Sequence, residues 1–214
     1  MAAQTVAASV TEAATSATAK PAPFLLHRLI DLDIAFSLWV HSACLPIPRW
    51  LLKALEISGD GRFWFPIPIS LFSFSSRSPI LLALILGSLL DLLLVGLIKH
   101  LVRRPRPVYN KGMNLTFAVD HWSFPSGHSS RVFFISAFLI MCADRFRADL
   151  DSHHLVHGYF GGEPTDLFLM FACVWSAATS VSRVLLGRHF VLDVIAGACL
   201  GVFEALLVFH LMKI

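Results

Sequence analysis

Residues 79 to 98 read PILLALILGSLLDLLLVGLI, from Pro79 through Ile98, an apolar run whose only charged member is Asp91. At ~1.5 Å of rise per residue, a helix of this length covers the ~30 Å hydrocarbon core of a bilayer, so the run predicts a membrane-spanning helix. A second full-length candidate, FVLDVIAGACLGVFEALLVFHLM, runs from Phe190 to Met212. Its Gly197-x-x-x-Gly201 spacing would let another helix approach closely. Two shorter apolar runs, His128 to Ala143 and Leu167 to Ser182, reach only ~24 Å each and should place their polar ends in a recess. Upstream, Leu32 to Leu45 and Phe63 to Phe74 are apolar but punctuated by Pro46, Pro48, Pro66 and Pro68, with Arg49 to Glu56 between them. The expected fold class is all-α: an integral membrane bundle of about six transmembrane helices, with five as the fallback count.

The whole chain agrees with lipid as its main solvent. Of 214 residues, 56% are hydrophobic and 14% are Asp, Glu, Lys or Arg, against about 25% charged in an ordinary soluble domain. The net charge of +3 comes without a dense Lys/Arg block, so no nucleic-acid partner is expected. Cys44, Cys142, Cys173 and Cys199 lack paired C-x-x-C spacing, which argues for packing residues over zinc ligands or disulfides. Residues 1 to 23, rich in Ala, Thr and Ser, read as a disordered tail, with a plastid transit peptide as the alternative. Residues 24 to 214 then form one membrane domain.

Loop lengths fix what faces what. If the helix from Pro79 ends at one membrane face, the next begins there near His128 and the fifth returns there near Ser182. Three polar clusters therefore meet at that face, while the loop from Asp144 to Asp166 lies at the other.

The first cluster, Lys99-His-Leu-Val-Arg-Arg-Pro-Arg106-Pro107, follows the surest helix. Pro105 and Pro107 stop the helix and let Arg106 fold back toward Lys99, unless the cluster is only a basic flank held at the headgroups. In the second, Ser123-Phe-Pro125-Ser126-Gly127-His128-Ser-Ser-Arg131, a turn ahead of a helix presents backbone N–H groups to an anion, and His128 can give or take a proton. An ordinary N-cap is the plainer reading. The third is Ser182-Arg183-Val-Leu-Leu-Gly-Arg188-His189-Phe-Val-Leu-Asp193. On a helix, His189 and Asp193 would stack on one face, letting the carboxylate hold the imidazole in one tautomer. Together the clusters describe a phosphate pocket without a metal-ligand set, since phosphoryl transfer needs positive groups, an in-line nucleophile and an acid on the leaving oxygen.

The patterns K-x6-R-P, P-S-G-H and S-R-x5-H-x3-D, in this order, resemble the three-part signature of the type 2 phosphatidic acid phosphatase superfamily. The longer strings RRPRPVYN, FPSGHSSR and SRVLLGRH are similar to the polyisoprenoid (presqualene) diphosphate phosphatase branch and to plant lipid phosphate phosphatases of the beta type. The resemblance runs from about Asp33 to the C-terminus. It implies a metal-independent phosphatase without cofactor, in which His189 attacks phosphorus, Asp193 orients it and His128 protonates the departing oxygen. Lys99, Arg106, Ser126, the Gly127 N–H and Arg183 would bind phosphate. Beyond the resemblance, Arg131 and Arg188 are extra cations nearby that could serve a second phosphate, as a diphosphate substrate would require. The implied partner is a membrane lipid with a phosphate or diphosphate headgroup: phosphatidic acid, a related lipid phosphate or an isoprenoid (di)phosphate.

Further features stand beside this reading. The loop from Val108 to Phe124, with Tyr109, Lys111, His121 and Trp122, is either a headgroup reader or a plain interfacial loop. Asp91 and Glu204 should hydrogen-bond between helices. His153, His154 and His157 with Asp149 and Asp151 form a loose metal-like tract on the opposite face. Asn114-Leu-Thr116 is a glycosylation sequon on the site's face. An integral protein of the endoplasmic reticulum or another endomembrane is expected, with the plastid as alternative. The rival readings are a lipid phosphotransferase using the same pocket, a non-catalytic membrane transporter and a structural protein descended from an enzyme. Soluble vanadium haloperoxidases share the pocket by resemblance, but their solubility conflicts with this composition.

Overall fold

The computed structural model describes residues 24–43, 46–74, 78–109, 121–145 and 164–213. The 1–23 tail, Cys44, Lys111, the Asn114 sequon and the His153–His157 tract lie outside the described residues. Two compact units are distinguished, one ending at Leu32 and the other running from Asp33 onward. Every candidate site residue belongs to the second.

The described residues form helices and no strand: α1 (Phe24–Ala43), α2 (Arg49–Ser58), α3 (Gly61–Trp64), α4 (Pro66–Phe74), α5 (Pro79–Val102), α6 (Gly127–Met141), α7 (Pro164–Leu185) and α8 (Val191–Met212). The all-α expectation holds. α5, α7 and α8 are long and apolar enough to cross a membrane, and α6 is a shorter apolar helix. α7 corrects the expected Leu167–Ser182 run, because Thr165, Asp166 and Arg183 continue the helix at both ends to 22 residues. Thr165 and Arg183 are buried, and Arg183 is satisfied inside the protein by Glu56 of α2, so the polar ends do not break the helix. The Phe63–Phe74 run is instead interrupted, divided between α3 and α4 at Phe65 and Pro66.

α5 shows how the bundle sorts its faces. Ala83, Gly87, Asp91, Val95 and Lys99, each four residues after the last, are buried, whereas Leu89, Leu92, Leu93 and Leu97 are at least half exposed. A leucine face of this kind suits lipid, not water. α8 lies closest against α6, and the reason is its two glycines. A Cβ on Gly197 would strike the Ser126 carbonyl, and one on Gly201 would strike the Ser130 carbonyl. The small-residue pair thus permits the close approach read from its spacing. α6 and α7 are joined by hydroxyls: Ser136 Oγ donates to the Ala172 carbonyl and Ser176 Oγ to the Val132 carbonyl, each at 2.9 Å. Asp91 forms a 3.1 Å ion pair with Arg131 on α6, both side chains buried. That is the interhelical role expected of Asp91. Glu204 is fully buried and within electrostatic reach of the same pair.

Candidate active site

Each motif acquires its shape from a local rule. After Lys99 on the last turn of α5, Arg103 closes the helix in the left-handed conformation (φ 51°), its N–H bonded to the Lys99 carbonyl at 3.0 Å. The chain then extends through Pro105, which bridges to Trp122. Before α6, Ser126 is the N-cap, its Oγ accepting from Ser129 Oγ at 3.1 Å. After α7, the Arg188 N–H bonds the Arg183 carbonyl and the Gly187 N–H the Val184 carbonyl, both at 2.9 Å, with Gly187 at φ +70°. This is the Schellman closure of a helix, and only glycine adopts its left-handed position without strain. The turn is what carries His189 from the end of α7 to the start of α8.

The α8 N-terminus is capped from three directions. Asp193 Oδ2 accepts the Phe190 N–H (2.9 Å), Ser37 Oγ accepts the Val191 N–H (2.9 Å) and Asp33 Oδ1 accepts the Leu192 N–H (3.0 Å). Three otherwise orphaned donors are thereby satisfied. Arg104 ties these acids together, with Nη1 2.7 Å from Asp193 Oδ1, Nη2 2.7 Å from Asp33 Oδ2, and its guanidinium 4.2 Å above the Phe190 ring.

His189 lies in the loop ahead of α8, not on a helix with Asp193 as the spacing suggested. Its Nδ1 is 2.7 Å from the Ser123 carbonyl and 3.7 Å from Asp193 Oδ2. A carbonyl only accepts, so Nδ1 carries the proton and Nε2 keeps its lone pair. The same carbonyl, not the carboxylate, is the direct hydrogen-bond partner that orients the ring. Asp193 is held back because its oxygens serve the Phe190 N–H and Arg104. Arg106 Nη1 approaches Nε2 at 3.3 Å and donates to the Arg188 carbonyl at 2.8 Å. Burial first, then the charges of Arg106, Arg183 and Lys99, hold the His189 imidazole well below the ordinary histidine pKa, against the opposing pull of the Ser123 carbonyl.

The remaining expected residues differ in where they lie. Lys99 Nζ donates to the Trp122 carbonyl at 2.7 Å; residues 110–120 of the expected loop from Val108 to Phe124 lie outside the described residues. Tyr109, in the same loop, instead stacks on His41 with ring centroids 4.8 Å apart. His128 is within electrostatic reach of Arg183, Arg131, His189 and Arg106, and His128 Nε2 is a buried nitrogen with no protein hydrogen-bond partner among the described residues. Arg131 turns into the core toward Asp91. Arg183 and Arg188 both meet Glu56 of α2, at 2.6 Å and 3.4 Å. Burial would raise the Glu56 carboxyl, but these two guanidiniums outweigh it and hold the group below the usual carboxylate pKa.

Asp33, Ser37 and Glu56 escaped the sequence reading, while Arg104 and Ser123 stood inside the quoted clusters without a role of their own. Asp33 left a signal as an acid inside an apolar run. Among the described residues, no group of three His, Cys, Asp or Glu side chains is placed to hold a metal ion.

The sequence profile of the PAP2 superfamily matches residues 80–214 of the chain. A probable lipid phosphate phosphatase beta of Arabidopsis thaliana is 38% identical over 193 residues, covering 86% of this chain and 91% of the relative. Among solved structures, a transmembrane PAP2-type phosphatidylglycerolphosphate phosphatase of Bacillus subtilis superposes with a TM-score of 0.68 at 23% identity, covering 87% of each chain. LpxE of Aquifex aeolicus superposes with a TM-score of 0.59 at 26% identity, covering 84% of this chain and 95% of the other.

Proposed function

Because this chain belongs to the PAP2 superfamily, we propose that it is an integral-membrane lipid phosphate phosphohydrolase with His189 as its nucleophile. The observation that carries the reading is the state of His189: its Nδ1 proton is committed to the Ser123 carbonyl and its Nε2 lone pair faces Arg106. A buried neutral imidazole beside fixed cations can attack a phosphorus whose oxygens those cations hold.

Nε2 of His189 forms a bond to phosphorus while the bond from phosphorus to the lipid oxygen breaks, and His128, protonated while the anionic headgroup is bound, gives that oxygen its proton and becomes neutral. For a diphosphate lipid, the leaving group is the lipid monophosphate. Water then attacks the phosphohistidine, losing a proton to His128 as the P–N bond breaks, which restores both histidines and releases inorganic phosphate. Lys99, Arg106 and Arg183 neutralise the equatorial oxygens, helped by Ser126 and the Gly127 N–H at the α6 terminus. Asp193, 3.7 Å from Nδ1, stabilises the positive charge that the ring acquires.

Side-chain cations fill the role that a metal ion often plays in phosphoryl transfer, so the reaction is proposed to be metal-independent. The substrates it fits are phosphatidic acid, related lipid phosphates and isoprenoid phosphates or diphosphates, whose headgroups reach helix ends while their tails stay among apolar faces. The test is phosphate release by detergent-purified protein from phosphatidic acid and farnesyl diphosphate in excess EDTA, comparing wild type with His189→Ala. Release that survives EDTA and disappears in the variant supports the proposal. Release unchanged in His189→Ala, or lipid phosphate transferred to an alcohol instead of water, overturns it.

A further inference from the structure

Glu56 takes no part in the phosphoryl chemistry, yet its carboxylate joins two of the site's cations. A single oxygen, Oε1, lies 2.6 Å from Arg183 Nη1 and 3.4 Å from Arg188 Nε. Its helix is firmly docked. One turn before it, Leu52 packs against Leu185 and Leu186, and shortly after it Trp175 Nε1 donates to Ser58 Oγ at 2.9 Å. Glu56 is therefore delivered to the arginines by the packing of α2 on the end of α7.

An anionic oxygen shared by two guanidiniums has the charge and donor surroundings of a phosphate oxygen. A lipid monophosphate needs the cations that surround His189. A diphosphate brings a further phosphate, and its negative charge requires another cation nearby. Arg131 is poorly suited, because Asp91 neutralises it within the core. Arg188 is adjacent to His189 in the chain and is buried, but Glu56 neutralises it. Of this trio the carboxylate is the water-facing member, its side chain 19% exposed against 1% and 2% for the arginines. It is thus the member that an incoming anion can displace.

Resting on the phosphatase reading, we propose that Glu56 is a specificity-determining residue. Its carboxylate holds the place between Arg183 and Arg188 that the second phosphate of a diphosphate-headgroup lipid would take, and so biases the enzyme toward lipid monophosphates.

The test uses one tail with two headgroups. kcat/KM is measured for farnesyl monophosphate and farnesyl diphosphate with purified wild type, Glu56→Gln, Glu56→Asp and Arg188→Gln. The diphosphate-to-monophosphate ratio should rise about tenfold in Glu56→Gln, as expected when the second phosphate forms one additional charge-assisted hydrogen bond. It should stay near wild type in Glu56→Asp and fall in Arg188→Gln. A ratio unchanged in Glu56→Gln, with both substrates falling together, would make Glu56 a mere support for Arg183 and overturn the inference. Should Glu56→Gln fail to fold, an unchanged ratio in Arg188→Gln overturns it equally. A wild type that releases phosphate from neither substrate overturns the phosphatase reading itself, whereas an active wild type with unresponsive ratios overturns this inference alone.

Discussion

Which nitrogen of an imidazole carries the proton decides whether it can attack phosphorus, and at His189 a backbone carbonyl makes that choice. Ser123 accepts from Nδ1, so Nε2 is the free base. In the proposed mechanism protonation of Nε2 would block attack, and with the pKa held well below the ordinary value that block arrives only at low pH. The acidic limb of kcat/KM should therefore lie below pH ~6.5, the ordinary histidine value. Arg106→Gln removes the largest of the cationic causes, so the limb should move upward while the rate falls by roughly two orders of magnitude. A pH–rate profile of both proteins checks this, and an unmoved limb would mean that burial and the other cations set the His189 pKa without Arg106. Rapid quench with labelled lipid phosphate should also trap an acid-labile, alkali-stable phosphoryl group, absent in His189→Ala.

At the level of elements, the site depends on how α8 begins and how closely α6 can approach it. Arg104 is the cation that pairs both Asp33 and Asp193. Arg104→Ala leaves two buried carboxylates uncompensated, a loss of about 3–5 kcal/mol by the usual cost of breaking a buried pair. Thermal unfolding in detergent should show a lower Tm, and a Tm equal to wild type would show the acids adequately solvated without it. Gly201→Ala places a methyl against the Ser130 carbonyl and 2.8 Å from the Phe134 nitrogen. The helices must part to admit it, at about 1–3 kcal/mol, again read as a fall in Tm. Glu204 gives the opposite sign. Arg131 is shared between Asp91 and Glu204, so Glu204→Leu removes a poorly compensated buried acid and should leave Tm unchanged or higher. A clear fall would instead assign Glu204 a structural bond.

For the molecule as a whole, charge is balanced in separate groups. Arg104 serves Asp33 and Asp193, Arg131 serves Asp91, and Glu56 is shared by Arg183 and Arg188. In the proposed reaction the substrate brings its phosphate to these groups while its tail remains among leucine-rich helix faces. Glycerol 3-phosphate, which carries the headgroup chemistry without tails, should accordingly show a kcat/KM lower than phosphatidic acid by at least about a hundredfold, since each buried CH2 contributes ~0.8 kcal/mol. Parallel phosphate-release assays decide it, and equal values would sink the requirement for a tail.

Much of this was legible along the chain because its signals are local. Hydrophobic run length marks α5 and α8, since the bilayer imposes one thickness on any helix that crosses it. The spacing of Gly197 and Gly201 marks the close helix contact, and the three motifs supply the cationic and histidine groups now found around His189. The extent of α7 was less legible, because its polar end residue Arg183 is tolerated only through a distant partner, Glu56. Packing alone selected the partners. Asp33 and Ser37 cap α8 from α1, the Ser123 carbonyl replaces Asp193 as the direct partner of His189, and Asp91 draws Arg131 into the core. Glu56, 127 positions before Arg183 in the chain, reaches it only because Leu52 docks α2 on Leu185 and Leu186. Lipid acts on each segment separately and so writes its demands into consecutive residues, whereas an ion pair or a cap depends on which distant elements pack together, and that is settled only in three dimensions.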